Sequence, residues 1–131
     1  MSARLRNRLY PPLADWFASR FPDFSEIQKL ALPHTLKSEN TLIFAPTGSG
    51  KTLAAFLSAL SALGKLASTN KLKNATYVVC VSPLRSLNRD IDRNLRAPLE
   101  ALNQSLPPGQ RIRQETRTGD TSLTDRQKMN R

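Results

Sequence analysis

Eight consecutive residues constrain this chain more than any other feature: Ala45-Pro46-Thr47-Gly48-Ser49-Gly50-Lys51-Thr52. A short apolar run, Thr41-Leu42-Ile43-Phe44-Ala45, leads into them. Leu53, Phe56, Leu57, Leu60 and Leu63, at helical spacing, lead out. Strand, glycine turn and helix in that order make a phosphate-binding loop, and the octapeptide departs from the strict pattern only in having Ala45 for the first glycine. That position ends a strand, so alanine is tolerated there. Gly48 and Gly50 let backbone N–H groups approach phosphate oxygens with no Cβ in the way. The helix that follows points its partly positive N-terminus at the same phosphates. Lys51 supplies a full charge to the β and γ phosphates, and the Thr52 hydroxyl can bind Mg²⁺. Residues 45–52 therefore predict ATP and Mg²⁺ as ligands.

The rest of the chain supplies the frame. Pro11-Pro12 suits a helix start, and Leu13, Trp16, Phe17 and Phe21 follow as an apolar stripe that Pro22 ends. A second helix opens at Ser25, with Ile27, Leu30, Ala31 and His34 on one face and Pro33 expected to kink it. Gly64–Asn74 reads as a polar loop. Tyr77-Val78-Val79-Cys80-Val81 reads as a second buried strand. A third helix is expected from Pro83 to about Leu102. Its apolar stripe is Leu84, Leu87, Ile91 and Leu95. Arg85, Arg89, Arg93 and Arg96 lie on another side, and Pro98 should disturb its end. Pro107-Pro108-Gly109 is a turn, Arg111–Thr116 a candidate third strand, and Thr121–Arg131 the start of a helix that Asp125 helps to cap. Continuous apolar strands alternating with helices predict an α/β fold, a parallel sheet covered on both faces.

Length and charge narrow the partners. The 131 residues suffice for one domain, and no internal repeat interrupts them. A formal net charge of +10 points to an anionic partner, nucleic acid or an anionic membrane. No apolar run approaches the roughly 18 residues that span a bilayer, so a membrane is not expected. Arg4, Arg6 and Arg8 are followed by no apolar stretch or cleavage site, which argues against a secretory signal. Pro11, Pro12 and Asp15 break a transit-peptide pattern. The single Cys80 admits no internal disulfide and, inside an apolar run, is expected to be buried and inert. A reducing, cytoplasmic setting fits.

The octapeptide is the helicase form of the loop, and with it the chain resembles superfamily 2 helicases, the group that includes DEAD-box and DEAH-box enzymes. The resemblance covers about residues 13 to 131. It implies that residues 1–131 are the N-terminal part of a RecA-like ATP-binding domain. Gln28, 17 residues before Ala45, matches the family's glutamine that contacts the adenine edge, where a carboxamide donates and accepts at once. Ser25-x-x-Gln28 is equally a capping box, and both roles can hold. Phe21 or Phe24 could stack on the base or belong to the core. Ser82-Pro83-Leu84-Arg85 resembles motif Ia, which implies contact with a nucleic-acid backbone. An ordinary Ser-Pro helix start is the plain alternative. Thr118-Gly119-Asp120 resembles the Thr-Gly-Asp segment of large helicase-related (Lhr-type) proteins, which lies along the bound strand, and otherwise reads as a plain glycine turn. Asn88 and Asn94–Leu99 resemble that subgroup too. Arg89, Arg93 and Arg96 read as solvated.

The family's next element is an Asp-Glu box that positions Mg²⁺ and the attacking water. The chain has ten acidic residues, none adjacent to another. The second RecA-like lobe is missing as well, and with these parts absent the chain alone is expected to hydrolyse ATP negligibly. The leading expectation is thus the ATP-binding segment of an RNA or DNA helicase, with single-stranded nucleic acid and the remainder of the helicase chain as partners. A non-catalytic nucleic-acid-binding module, a truncated inactive remnant and another phosphate-loop enzyme such as a kinase are the alternatives.

Overall fold

A computed structural model describes residues 3–129, with the side chains of Arg85 and Ser86 excepted. Six helices follow one another: α1 (Ala3–Arg6), α2 (Pro11–Arg20), α3 (Glu26–Thr35), α4 (Lys51–Ser68), α5 (Arg85–Ser105) and α6 (Leu123–Met129). α2 starts at the proline pair, as its sequence predicts, but ends at Arg20, so that Phe21 caps it rather than completing its stripe. α3 is capped by Ser25, whose hydroxyl accepts from the Gln28 N–H while the Gln28 side chain accepts from the Ser25 N–H. Pro33 is accommodated inside it.

α4 corrects the expected loop at Gly64. The helix takes in the first five residues of that expected loop and runs to Ser68, because Gly64 lies under the Tyr10 ring, where a Cβ would come within 2.5 Å of Cδ1. The Tyr10 N–H donates to Ser61 Oγ at 2.8 Å, and Lys65 Nζ to the Arg8 carbonyl at 2.8 Å. The N-terminal segment therefore clasps the far half of α4.

Leu13, Phe17, Leu32, Leu57 and Leu102 are fully buried and bring α2, α3, α4 and α5 around one core. Phe17 stacks on Phe24 with ring centroids 4.5 Å apart. Two stripes differ from expectation. On α3 the inward residues are Gln28, Ala31 and Leu32, whereas Leu30 is exposed and His34 pairs with Glu39 at 2.6 Å. On α5 the buried residues are Leu95, Pro98, Leu99 and Leu102, while Leu84 and Leu87 face solvent. Pro98 does not end α5, which continues through it to Ser105.

The expected parallel sheet is absent among the described residues. Thr41–Ala45, Tyr77–Val81 and Arg111–Thr116 are irregular rather than laddered. A strand exists only through hydrogen bonds to a neighbour, and around Arg111–Thr116 side chains take that place. Gln110 accepts from the Leu72 N–H at 2.9 Å, and Arg113 donates to Asn74 at 2.5 Å. Apolar side chains meant for a covered sheet are left outside: Leu42 is 84%, Phe44 87% and Val81 89% exposed. Cys80 is exposed with them, contrary to the expected buried thiol.

Candidate nucleotide and nucleic-acid sites

The phosphate loop takes the shape its glycines allow. Gly48 and Gly50 have φ of 80° and 90°, the left-handed region that side chains avoid. Gly50 is the N-cap of α4, so the N–H groups of Lys51, Thr52 and Leu53 have no partner within the helix and converge on the loop. Lys51 folds back over the end of the Thr41–Ala45 segment, its Nζ donating to the Ala45 carbonyl and, at 2.8 Å, to the Pro46 carbonyl. Pro46, Thr47, Gly48 and Thr52 are exposed, and Ser49 turns a buried hydroxyl inward with no partner among the described residues. Converging free N–H groups, an ammonium within reach and an open Thr52 hydroxyl fit a polyphosphate with its Mg²⁺.

Residues outside the octapeptide hold it. Ser25 Oγ donates to the Ser49 carbonyl at 2.8 Å, and Gln28 Nε2 to the Gly50 carbonyl at 3.4 Å. A Cβ on Gly50 would meet Gln28 Nε2 at 2.7 Å. The capping box of α3 is thus also a buttress of the loop. Ser25's part in this escaped sequence reading, since a capping serine signals only its own helix. Gln28 is buried, its oxygen engaged by Ser25 and its nitrogen by Gly50. Phe24 belongs to the core, whereas Phe21 keeps an exposed edge beside Phe17.

The second set of candidate residues flanks α5. Ser82, Pro83 and Leu84 lead into it, with Ser82 Oγ donating to the Leu84 carbonyl at 3.4 Å. α5 begins at Arg85, two residues after the expected start. The Arg85 side chain lies outside the described residues. Thr118–Thr121 is a closed turn. The Thr118 N–H donates to Thr121 Oγ1 at 2.8 Å, the Thr121 N–H to the Thr118 carbonyl at 3.2 Å, and the Asp120 N–H to Thr118 Oγ1 at 3.3 Å. Arg126 clamps it, donating to the carbonyls of Gly119 at 2.9 Å and Thr118 at 3.3 Å. Nothing in the spacing of Arg126 signalled that clamp.

Two sets of bonds fix where this turn sits. Asn103 exchanges hydrogen bonds with the backbone of Ile112 at 2.8 and 3.0 Å. Asp92 accepts from Gln114 at 2.6 Å and Thr116 at 2.5 Å. As residue number rises from 112 to 116, the segment moves from position 103 of α5 back to position 92. It therefore runs antiparallel to the helix and delivers Thr118–Asp120 toward the end where Ser82–Leu84 enter.

The family model described as DEAD/DEAH box helicase matches residues 25–130. The chain belongs to the DEAD/DEAH-box helicase family. Lhr-type helicases are among its relatives within that family. It is 40% identical over 132 residues to the ATP-dependent helicase Lhr-Core of Methanothermobacter thermautotrophicus, covering 98% of this chain and 15% of that one. It is 34% identical to the Lhr helicase/uracil glycosylase of Escherichia coli, covering 99% of this chain and 9% of that protein. The structure of Mycobacterium smegmatis helicase Lhr bound to ssDNA and AMP-PNP matches with a TM-score of 0.79 and 35% identity, over 95% of this chain and 16% of that chain. This DEAD/DEAH-box chain thus spans about a sixth or less of the length of these relatives. Among the described residues no helix is long and apolar enough to cross a membrane.

Proposed function

We propose that the chain binds ATP-Mg²⁺ on Ala45–Thr52 and a single nucleic-acid strand across Ser82–Arg85 and Thr118–Asp120, as the nucleotide-holding part of a helicase. The observation that carries the nucleotide half is the set of free N–H groups at the start of α4 beside Lys51. Lys51 is the mobile cation: nucleotide draws its Nζ from the Ala45 and Pro46 carbonyls to the β and γ phosphates. Thr52 supplies its hydroxyl to Mg²⁺. Gln28, through its remaining N–H, and Phe21, through its exposed edge, are the groups that would receive adenine. The nucleic-acid half rests on two loops at one end of α5 and on the formal charge of +10. The related Lhr structure carries ssDNA and AMP-PNP. The exposed apolar side chains of Thr41–Ala45 and Tyr77–Val81 offer a seat for the remainder of a helicase chain. The lone thiol fits a reducing, cytoplasmic setting.

Hydrolysis is a separate matter. No two of the ten acidic residues are adjacent, and Asp92, on a helix, is engaged by Gln114 and Thr116. This observation favours binding without turnover by the chain alone. Titration with a fluorescent ATP analogue tests the nucleotide site. Lys51→Ala should weaken binding by about 2 kcal/mol, roughly thirtyfold in Kd. Equal affinity of the two proteins would refute the site. Phosphate release by the unaltered chain should not exceed that of Lys51→Ala, and a Lys51-dependent rate would overturn the non-catalytic reading.

A further inference from the structure

α5 carries a second feature that the two loops do not use. Taking about 100° per residue, Arg96, Arg89 and Arg93 lie about 40°, 60° and 100° around the helix from Asp92. Leu95, Leu99 and Leu102 fall on the other side of Asp92 and enter the core. The three arginines thus form one narrow, outward stripe. All three are exposed, and none has a carboxylate within ion-pair distance among the described residues. Acids border the stripe without pairing with it among the described residues. Asp92 keeps its charge but is turned into hydrogen bonds from Gln114 and Thr116, and Asp90 lies about 60° around the helix from Arg93, outside the stripe's edge. Glu100, one turn beyond Arg96 on the same flank, marks its end.

The stripe starts near the end of α5 that Ser82–Leu84 enter and toward which Thr118–Asp120 are delivered. From Arg89 to Arg96 it advances about 10 Å along the helix. We propose that Arg89, Arg93 and Arg96 are a basic track for the sugar-phosphate backbone of a single strand, extending the nucleic-acid interface along α5 beyond the two loops. Planar guanidinium groups suit phosphate oxygens, and such contacts hold a strand without reading its sequence. The proposal rests on the nucleic-acid reading given above, and it replaces the reading of these arginines as merely solvated.

The test is the salt dependence of binding. Anisotropy of a fluorescently labelled oligothymidylate is followed over a series of salt concentrations, with the unaltered chain and with Arg89→Gln/Arg93→Gln/Arg96→Gln. A control, Arg4→Gln/Arg20→Gln/Lys73→Gln, removes the same charge from residues outside α5. Each lost phosphate contact lowers the slope of log K against log salt by about 0.7 on a single strand, so the α5 triple should lose about 2. The control should change little. Fluorescent-nucleotide affinity should be the same in all three proteins. An unchanged slope in the α5 triple, or an equal drop in the control, overturns the track and leaves the two-loop interface standing. No binding by the unaltered chain overturns the nucleic-acid reading itself. If the triple fails to fold, the three single variants serve, each expected to lower the slope by about 0.7.

Discussion

Gly48 and Gly50 have nearly the same left-handed backbone but different surroundings. A Cβ on Gly48 meets nothing within 4 Å, whereas one on Gly50 runs into Gln28 and Ser25. Gly48→Ala should therefore cost only backbone strain, about 1 kcal/mol. Gly50→Ala adds a clash with a buried carboxamide and should cost about 2–3 kcal/mol, with nucleotide binding lost as Ser25 and Gln28 are pushed off the loop. Urea unfolding of the two variants separates the cases, and equal losses would mean that Gln28 yields freely. At this scale the sequence was most informative. The octapeptide, the Ser25–Gln28 capping box and the helix start at Pro11 were all legible, because each is a local pattern with a local cause. The contacts of Ser25 with Ser49 and of Arg126 with Gly119 were not, because each joins residues whose proximity only the fold creates.

At the scale of the element, α3 carries titrating pairs at both ends, and their signs oppose. Beyond its C-terminus the hydrogen bond from His34 holds the Glu39 carboxyl below the usual carboxylate range. A depressed acid stabilises fully above its ordinary pKa and loses that contribution as pH falls through the lowered value. At the N-terminus, hydrogen bonds to Glu26 and then Asp23 raise Lys29 above the usual lysine range. That contribution is full below the ordinary lysine pKa and lost as pH rises through the raised one. Glu39→Gln should make the melting temperature less sensitive to pH on the acid side only, and Lys29→Gln on the alkaline side only. Both effects should be slight, since the pairs are exposed. Melting curves across pH check both, and a shift on the wrong side would refute the assignment. Helix existence was legible in the spacing of apolar residues. Helix ends and faces were less so: Gly64 stays helical because it lies under a ring, and Leu30, Leu84 and Leu87 face solvent although their spacing placed them on apolar faces.

For the whole molecule, the sheet is where sequence and structure part. Thr41–Ala45 and Tyr77–Val81 have the composition of strands covered on both faces, yet composition describes a demand and not the partners that meet it. Here the segments lie open, with Phe44 and Val81 almost fully exposed. These side chains contribute little to the stability of the chain and much to its stickiness. Phe44→Lys and Val81→Lys should leave unfolding free energy within about 0.5 kcal/mol. They should also raise the soluble concentration and reduce binding of an apolar dye. A loss of several kcal/mol would show instead that these residues are buried in solution. The family itself was legible because its motifs are loops and helix starts, which do not need the sheet in order to be read.

The grip of the N-terminal segment on α4 has a mechanical meaning. Tyr10 covers Gly64, its N–H is tied to Ser61, and Lys65 is tied to Arg8, all more than two turns from the phosphate loop. One end of the rod is clamped while the other faces the nucleotide. A ligand arriving at Lys51 cannot easily slide or roll the helix, so its work falls on the loop and on what braces the loop. That brace is the Ser25–Gln28 corner. The recoil of nucleotide capture should therefore travel through α3, with α4 as its anvil.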